Sequence, residues 1–111
     1  MLPKYRNRKV TVCGKTYDSV KEARRHAELK MLESAGKISD LERQVKFELI
    51  PTQRDSQTGK VLERSVSYIA DFTYYENGRY VVEDVKGFRT PEYRLKKKLI
   101  LWVYRIRIKE T

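Results

Sequence analysis

Apolar residues recur along the chain in two rhythms. From Val20, the residues Ala23, Ala27 and Met31 return at helical spacing, and Leu32 and Ala35 extend the stripe. Ser19 precedes this run and Glu22 sits three residues on, the spacing of a capping box, while Gly36 offers a C-terminal stop. A helix over 20–35 is predicted. A second helix is predicted after Thr90-Pro91, where a hydroxyl cap meets proline at the first helical position. Leu95, Leu99 and Trp102 give it an apolar stripe, with Lys96, Lys97 and Lys98 projecting elsewhere.

The other rhythm is extended. Lys9 to Cys13 and Lys15 to Tyr17 form a short ribbon around Gly14, and Gln44 to Ile50 reads as a strand ended by Pro51. Thr52 to Lys60 is polar and reads as a loop. A second extended stretch runs from Val61 to Tyr75, Asn77-Gly78 is a strong hairpin signal, and Arg79 to Lys86 is its partner strand, ended by Gly87. Tyr104, Ile106 and Ile108 alternate with Arg105, Arg107 and Lys109, which predicts a final strand. The order is helix, three strands, helix, strand: an α/β (α+β) fold in one domain over 1–111, with residues 1–8 as a basic arm.

Composition narrows the function classes. The 111 residues are 40% hydrophobic and 36% charged, enough apolar material for one core. The longest apolar run, Leu99 to Tyr104, falls far short of the ~18 residues of a membrane span. The opening Met1-Leu2-Pro3-Lys4 carries no apolar signal segment, and the single cysteine, Cys13, makes neither an internal disulfide nor a cysteine zinc site. A cytoplasmic protein without membrane contact is expected. The net charge is +10 and unevenly spread. Residues 1–30 carry +6 and residues 86–111 carry +7, around a middle at −3. Basic ends imply a polyanionic partner. A purely electrostatic binder has no need of the acidic middle.

The hairpin places that acidity. Counting back from the Asn77-Gly78 turn, Glu76 faces Arg79 and Asp71 faces Asp84. Carboxylates opposed across strands repel, so the arrangement calls for a cation. Lys86 shares the face of Asp84, whereas Glu83 points the other way with Val81 and Val85. Two carboxylates and a lysine suit phosphodiester hydrolysis. Asp71 and Asp84 would bind Mg²⁺ or Mn²⁺, with the Val85 carbonyl as a further ligand. Lys86 would orient the attacking water or stabilise charge on the phosphate. The plain alternative is a cross-strand salt cluster.

Asp71, the triplet Asp84-Val85-Lys86 and the element order resemble the PD-(D/E)XK nuclease superfamily, with Ala70 standing where its motif has proline. Lys4-Tyr5-Arg6-Asn7, Tyr17-Asp18-Ser19 with Glu22, Tyr68-Ile69-Ala70-Asp71-Phe72 and Val82-Glu83-Asp84-Val85-Lys86-Gly87 resemble a small phage and prophage family of that superfamily. The resemblance implies a restriction-endonuclease-like domain of order α-β-β-β-α-β, with a mixed sheet flanked by helices. It implies metal-dependent DNA cleavage and adds Glu22, on the first helix, as a catalytic or metal-binding carboxylate. The capping box accounts for Glu22 equally well. His26 is read as a surface or phosphate-proximal residue, and Gln44 as bordering the site or, equally, as a polar edge residue.

Lys4, Arg6, Arg8 and Lys9 on the arm, Arg89 and Arg94 before and on the second helix, and Lys96, Lys97 and Lys98 along it are the candidate DNA-binding residues. The tyrosines Tyr68, Tyr74, Tyr75 and Tyr80 are expected to pack in or beside the sheet. The expected activity is a Mg²⁺- or Mn²⁺-dependent DNA endonuclease. So small a subunit suits branched or distorted DNA, such as a Holliday junction, and a homodimer would cut both strands. A non-catalytic nucleic-acid-binding module on the same fold is the alternative, and a subunit of a phage packaging or replication complex is a third. No glycine-rich run precedes a lysine, so a nucleotide-hydrolysing loop is not expected.

Overall fold

A computed structural model describes residues 9–12, 14–86 and 89–111. The short ribbon is β1 (Val10–Val12) and β2 (Lys15–Tyr17), and α1 (Val20–Ser34) follows. Next come β3 (Ser39–Ile50), β4 (Gln53–Arg54), β5 (Val61–Glu63), β6 (Val66–Glu76), β7 (Arg79–Asp84), α2 (Pro91–Tyr104) and β8 (Lys109–Glu110). The protein is therefore mixed α+β. Strands β3, β6 and β7 run antiparallel, and β8 lies parallel to β7, in a four-stranded sheet of order β3-β6-β7-β8. Counting only that sheet, the order is helix, three strands, helix, strand.

Local chemistry explains the boundaries. Ser19 Oγ accepts from the Glu22 N–H, and Thr90 Oγ1 accepts from the Tyr93 N–H, so both helices start at hydroxyl caps. Asn77 and Gly78, at φ 52° and 74°, form the turn between β6 and β7. Positive φ at both central residues is what a type I′ hairpin turn requires. Strand β3 is longer than the predicted 44–50, because Asp40, Glu42 and Arg43 hide the extended pattern of its first half. The polar stretch after Pro51 is not all loop: β4 and β5 pair as a separate ribbon, so the extended stretch from Val61 is broken before Val66. The last predicted strand shrinks to two residues. Helix α2 runs on to Tyr104, and Arg105 closes it in the left-handed conformation at φ 60°.

Of the apolar stripes predicted for the two helices, Leu32 and Leu99 pack against the cores, while much of the rest faces solvent. In α1 the buried residues are Glu22, His26 and Leu29, whereas Val20 and Met31 are exposed. In α2 Tyr93 and Ile100 are buried and Lys96 and Lys97 partly so, while Leu95 and Trp102 face solvent, Trp102 at 71% exposure. Each inward face carries polar residues with structural partners, which an apolar count passes over.

Two cores flank the sheet. Leu29, Ile38, Phe72 and Tyr74 form one, with Leu32 and Val81 against it. Leu49, Tyr68, Ala70, Val82, Tyr93, Ile100 and Ile108 form the other. Val81 and Val82 are neighbours on β7, so α1 and α2 cover opposite faces. Residues two apart in a strand share a face, yet Ala70 joins the α2 core and Phe72 the α1 core. Strand β6 therefore turns over at Asp71. Across from it on β3, the pairs Arg43/Phe72 and Val45/Ala70 flank Gln44, which has φ 53°. The two strands invert together, and Asp71 stands at the inversion, paired by the hairpin register with Asp84.

Candidate functional site

The ladder between β6 and β7 ends at Phe72/Glu83, and Asp71 and Asp84 face each other one step beyond. The Asp84 carboxyl lies close enough to bear on the ionisation of Asp71. Asp71 Oδ2 accepts from the Val85 N–H (2.8 Å), and Asp84 Oδ2 accepts from the Tyr68 hydroxyl (2.6 Å). Lys86 Nζ lies 3.2 Å from Asp84 Oδ1 and 4.0 Å from the centre of the Tyr93 ring. The expected trio therefore meets on one face. Burial pushes the Asp71 carboxyl above the usual range, and Asp84 pushes it the same way; the Val85 N–H only partly offsets this.

These groups line a cavity of about 460 Å³ with Asp18, Ser19, Glu22, Gln44, Ser67, Ile69, Thr90, Glu92 and Lys96. Glu22 is buried, accepts from Gln44 Nε2 at 3.2 Å and lies 3.7 Å from Arg43 Nη2. Burial raises its pKa first, and the charge of Asp18 adds to that. Only half of the capping box forms as expected: Ser19 caps the helix, while the Glu22 carboxyl turns to Gln44 in the cavity. The backbone group of Val85 that reaches Asp71 is its N–H. Among the described residues, no group of three or more His, Cys, Asp or Glu gathers in a form that could hold a metal ion. The carboxylates that meet are two.

Strand β7 is held in place from behind. Glu83, fully buried, takes Arg25 Nε at 2.6 Å and Arg25 Nη2 at 3.0 Å, the Tyr74 hydroxyl at 2.7 Å and the Thr111 hydroxyl at 3.0 Å. Burial raises the pKa of Glu83, but these bonds outweigh it and hold the carboxyl below its ordinary value. Thr111 also bonds both sides of the motif, its N–H to the Asp84 carbonyl and its carbonyl to the Lys86 N–H. Sequence reasoning put Glu83 on the right face and gave it no role. A carboxylate between Val81 and Val85 on an apolar face was the available signal, since such a group must be paired.

The basic residues divide. Lys4, Arg6 and Arg8 lie outside the described residues. Lys9 is exposed beside a second hollow lined by Thr16, Asp18, Glu22, Arg43 and Gln44. Arg94 and Lys98 are exposed. Lys96 lines the main cavity and pairs with Glu92 at 3.0 Å. Arg89 (2.8 Å) and Lys97 (3.3 Å) are both tied to Glu110, which also accepts from the Tyr93 hydroxyl. These bonds lower the Glu110 pKa to about 2. Lys97 and Lys96 therefore do not project freely from the helix. Tyr68 and Tyr74 are buried in the two cores, and the Tyr75 and Tyr80 rings meet at a tilt at the exposed end of the hairpin.

His26 is not a surface residue. It is buried, its Nδ1 lies 2.5 Å from the Tyr17 hydroxyl, and its ring stacks on Phe72. Burial, with the charges of Arg43, Lys15 and Lys30, lowers its pKa from 6.5 to about 4. The neutral ring is favoured in the fold, so its contribution to stability is complete above pH 6.5 and lost as pH falls towards 4. His26→Gln is expected to lose less thermal stability between pH 7 and pH 5 than the wild type, measured by melting at both values.

Fold and site together define a mixed α+β protein whose sheet presents two facing aspartates and a lysine in a polar cavity. The chain belongs to the family described as protein of unknown function (DUF1064), whose model matches residues 2–110. No curated protein and no solved structure matches it. No helix among the described residues is long and apolar enough to cross a membrane.

Proposed function

We propose that this protein is a metal-dependent endodeoxyribonuclease of the restriction-endonuclease-like type, with Asp71, Asp84 and Lys86 as its catalytic residues. One observation carries the reading: two carboxyls meet in a cavity beside a lysine, at the cost of an Asp71 pKa raised by burial. A salt cluster needs one acid for its lysine. The second acid, facing the first, is electrostatically unfavourable until a cation arrives.

The donor set fits Mg²⁺ or Mn²⁺. Both side chains offer oxygen, and Mg²⁺ is commonly held by one or two carboxylates, with waters and substrate phosphate completing the octahedron. Such an ion supplies polarisation of the phosphate and a more acidic bound water. The rest falls to the chain. Tyr68 fixes Asp84 Oδ2 and the Val85 N–H fixes Asp71 Oδ2, while Asp84 Oδ1 faces the Lys86 ammonium at 3.2 Å. Lys86, seated on the Tyr93 ring, sits where it can orient water or take up charge growing on the phosphate. Glu22 and Gln44 close the cavity wall on the α1 side and position what enters.

The direct test offers labelled duplex, flap, four-way junction and single-stranded DNA to the protein in Mg²⁺, Mn²⁺ or EDTA. Cutting in metal and none in EDTA is expected, with branched DNA preferred. Binding without cutting in either metal would replace the enzyme with a nucleic-acid-binding module.

A further inference from the structure

We infer that the ribbon formed by β4 and β5 is an arm that enters a groove of double-stranded DNA on one side of the cut. The inference rests on the nuclease reading and names the substrate it takes. Strands β3 and β6 pair as far as Ile50/Val66, and the chain beyond that pair leaves the sheet as a separate two-stranded ribbon. From Pro51 to Ser65 every residue except Asp55 is exposed. The ribbon therefore contributes almost nothing to either core. A two-stranded hairpin without a packed face is marginal in water. This one is held by its turn: Asp55 Oδ1 accepts from the N–H groups of Gln57 and Thr58, Asp55 N–H donates to the Lys60 carbonyl, and Arg54 reaches the Gly59 carbonyl. A preformed, solvent-covered ribbon is built to be used outside the fold.

Its chemistry selects the partner. Arg54, Lys60 and Arg64 are exposed, and none has a salt-bridge partner among the described residues. Of its two acids, Asp55 is spent on the turn, leaving Glu63. Thr52, Gln53, Ser56, Gln57 and Thr58 add hydrogen-bonding groups suited to phosphates and base edges. No aromatic residue lies between Pro51 and Ser65, so the ribbon has nothing on which unpaired bases stack. A two-stranded ribbon is of a size that the major groove, about 12 Å wide, admits. Position agrees as well. The eleven residue-to-residue steps from Lys60 to Asp71 span at most about 36 Å at ~3.3 Å per step. That is about one turn of duplex, ~34–36 Å. The tip thus lies within one turn of a phosphate bound at Asp71.

The test is binding, read by fluorescence anisotropy in EDTA, on a duplex of roughly 24 base pairs and on a single strand of the same length. The proteins are the wild type, the double variant Lys60→Gln/Arg64→Gln, and a variant with residues 53–63 replaced by a short Gly-Ser turn. Unchanged melting temperatures establish that the variants fold. For two lost phosphate contacts, the double variant is expected to bind duplex several-fold more weakly, with a salt slope lower by about 1.8. The turn replacement should lose at least tenfold on duplex, and both variants should hold single-stranded DNA within about twofold of the wild type. Equal duplex binding by all three proteins would overturn the arm and leave the nuclease reading standing. No DNA binding by the wild type would overturn both. A wild-type dimer that the turn replacement converts to monomer in sedimentation would make the ribbon a self-association element and overturn the inference.

Discussion

Asp84→Asn is expected to lower metal-dependent DNA cleavage by at least about a thousandfold while leaving the fold intact. The cost follows from what the carboxylate does. Removing one of two metal-binding charges forfeits several kcal/mol of transition-state stabilisation, and each 1.36 kcal/mol is tenfold in rate. The fold does not depend on that charge: an asparagine oxygen still accepts from Tyr68, and one member of a repelling pair has gone. Asp71→Asn should be equally inactive, and it separates charge from packing more sharply. Asp71 is pushed above the ordinary carboxylate range, so folding favours its protonated form. Its ionisation therefore becomes more costly to stability as pH rises, and Asp71→Asn should melt higher than the wild type at pH 8. The same shift predicts how metal binds. A proton must leave Asp71 first, so affinity rises with pH, and calorimetry in two buffers of different ionisation heat should show proton release in the wild type and none in Asp71→Asn. Full cleavage by either variant would remove the pair from catalysis.

The pair was legible in the sequence because a hairpin with a two-residue turn has only one register. Once Asn77-Gly78 was placed, parity alone put Asp71 beside Asp84 and Lys86 and sent Glu83 to the other face. The helices were less legible for a physical reason. Amphipathic patterns reveal an inward face only when that face is apolar, and α1 turns Glu22, Arg25 and His26 inward. Its apolar residues Val20 and Met31 were left to solvent while Leu32 packed inward, so the count placed the stripe only in part. The inversion of β3 and β6 at Gln44 and Asp71 was not legible at all. It places residues of equal parity on opposite faces and leaves no mark on the alternation of apolar and polar positions. The ribbon at 53–63 was hidden by its own polarity: having no buried face, it has no pattern of burial to show.

The polar inward face of α1 leads to the largest expected effect on stability. Arg25→Met is expected to destabilise the fold by about 3–5 kcal/mol, because it strands Glu83 as a buried charge. The Glu83 side chain is fully buried and that of Arg25 only 19% exposed, so water cannot take over the lost partner. Tyr74 and Thr111 still donate, yet neither carries charge. In the wild type the Glu83 pKa lies below its ordinary value, so its contribution is present at neutral pH and lost as the carboxylate protonates. Without Arg25, burial dominates and the pKa rises above 4.5, so the penalty grows as pH increases from that point. The gap between variant and wild type should be widest near pH 7 and shrink towards pH 4.5. Adding Glu83→Gln to Arg25→Met should recover much of the loss at pH 7, since the double variant no longer buries a charge. Urea denaturation of the four proteins of this cycle measures the coupling. A coupling under about 0.5 kcal/mol would mean that the ion pair does not hold β7. A large coupling would make it the anchor behind the motif, one residue from Asp84 and on the face away from substrate. Cleavage by the double variant should then fall far less than by Asp84→Asn, because the pair positions the strand and touches nothing that reacts.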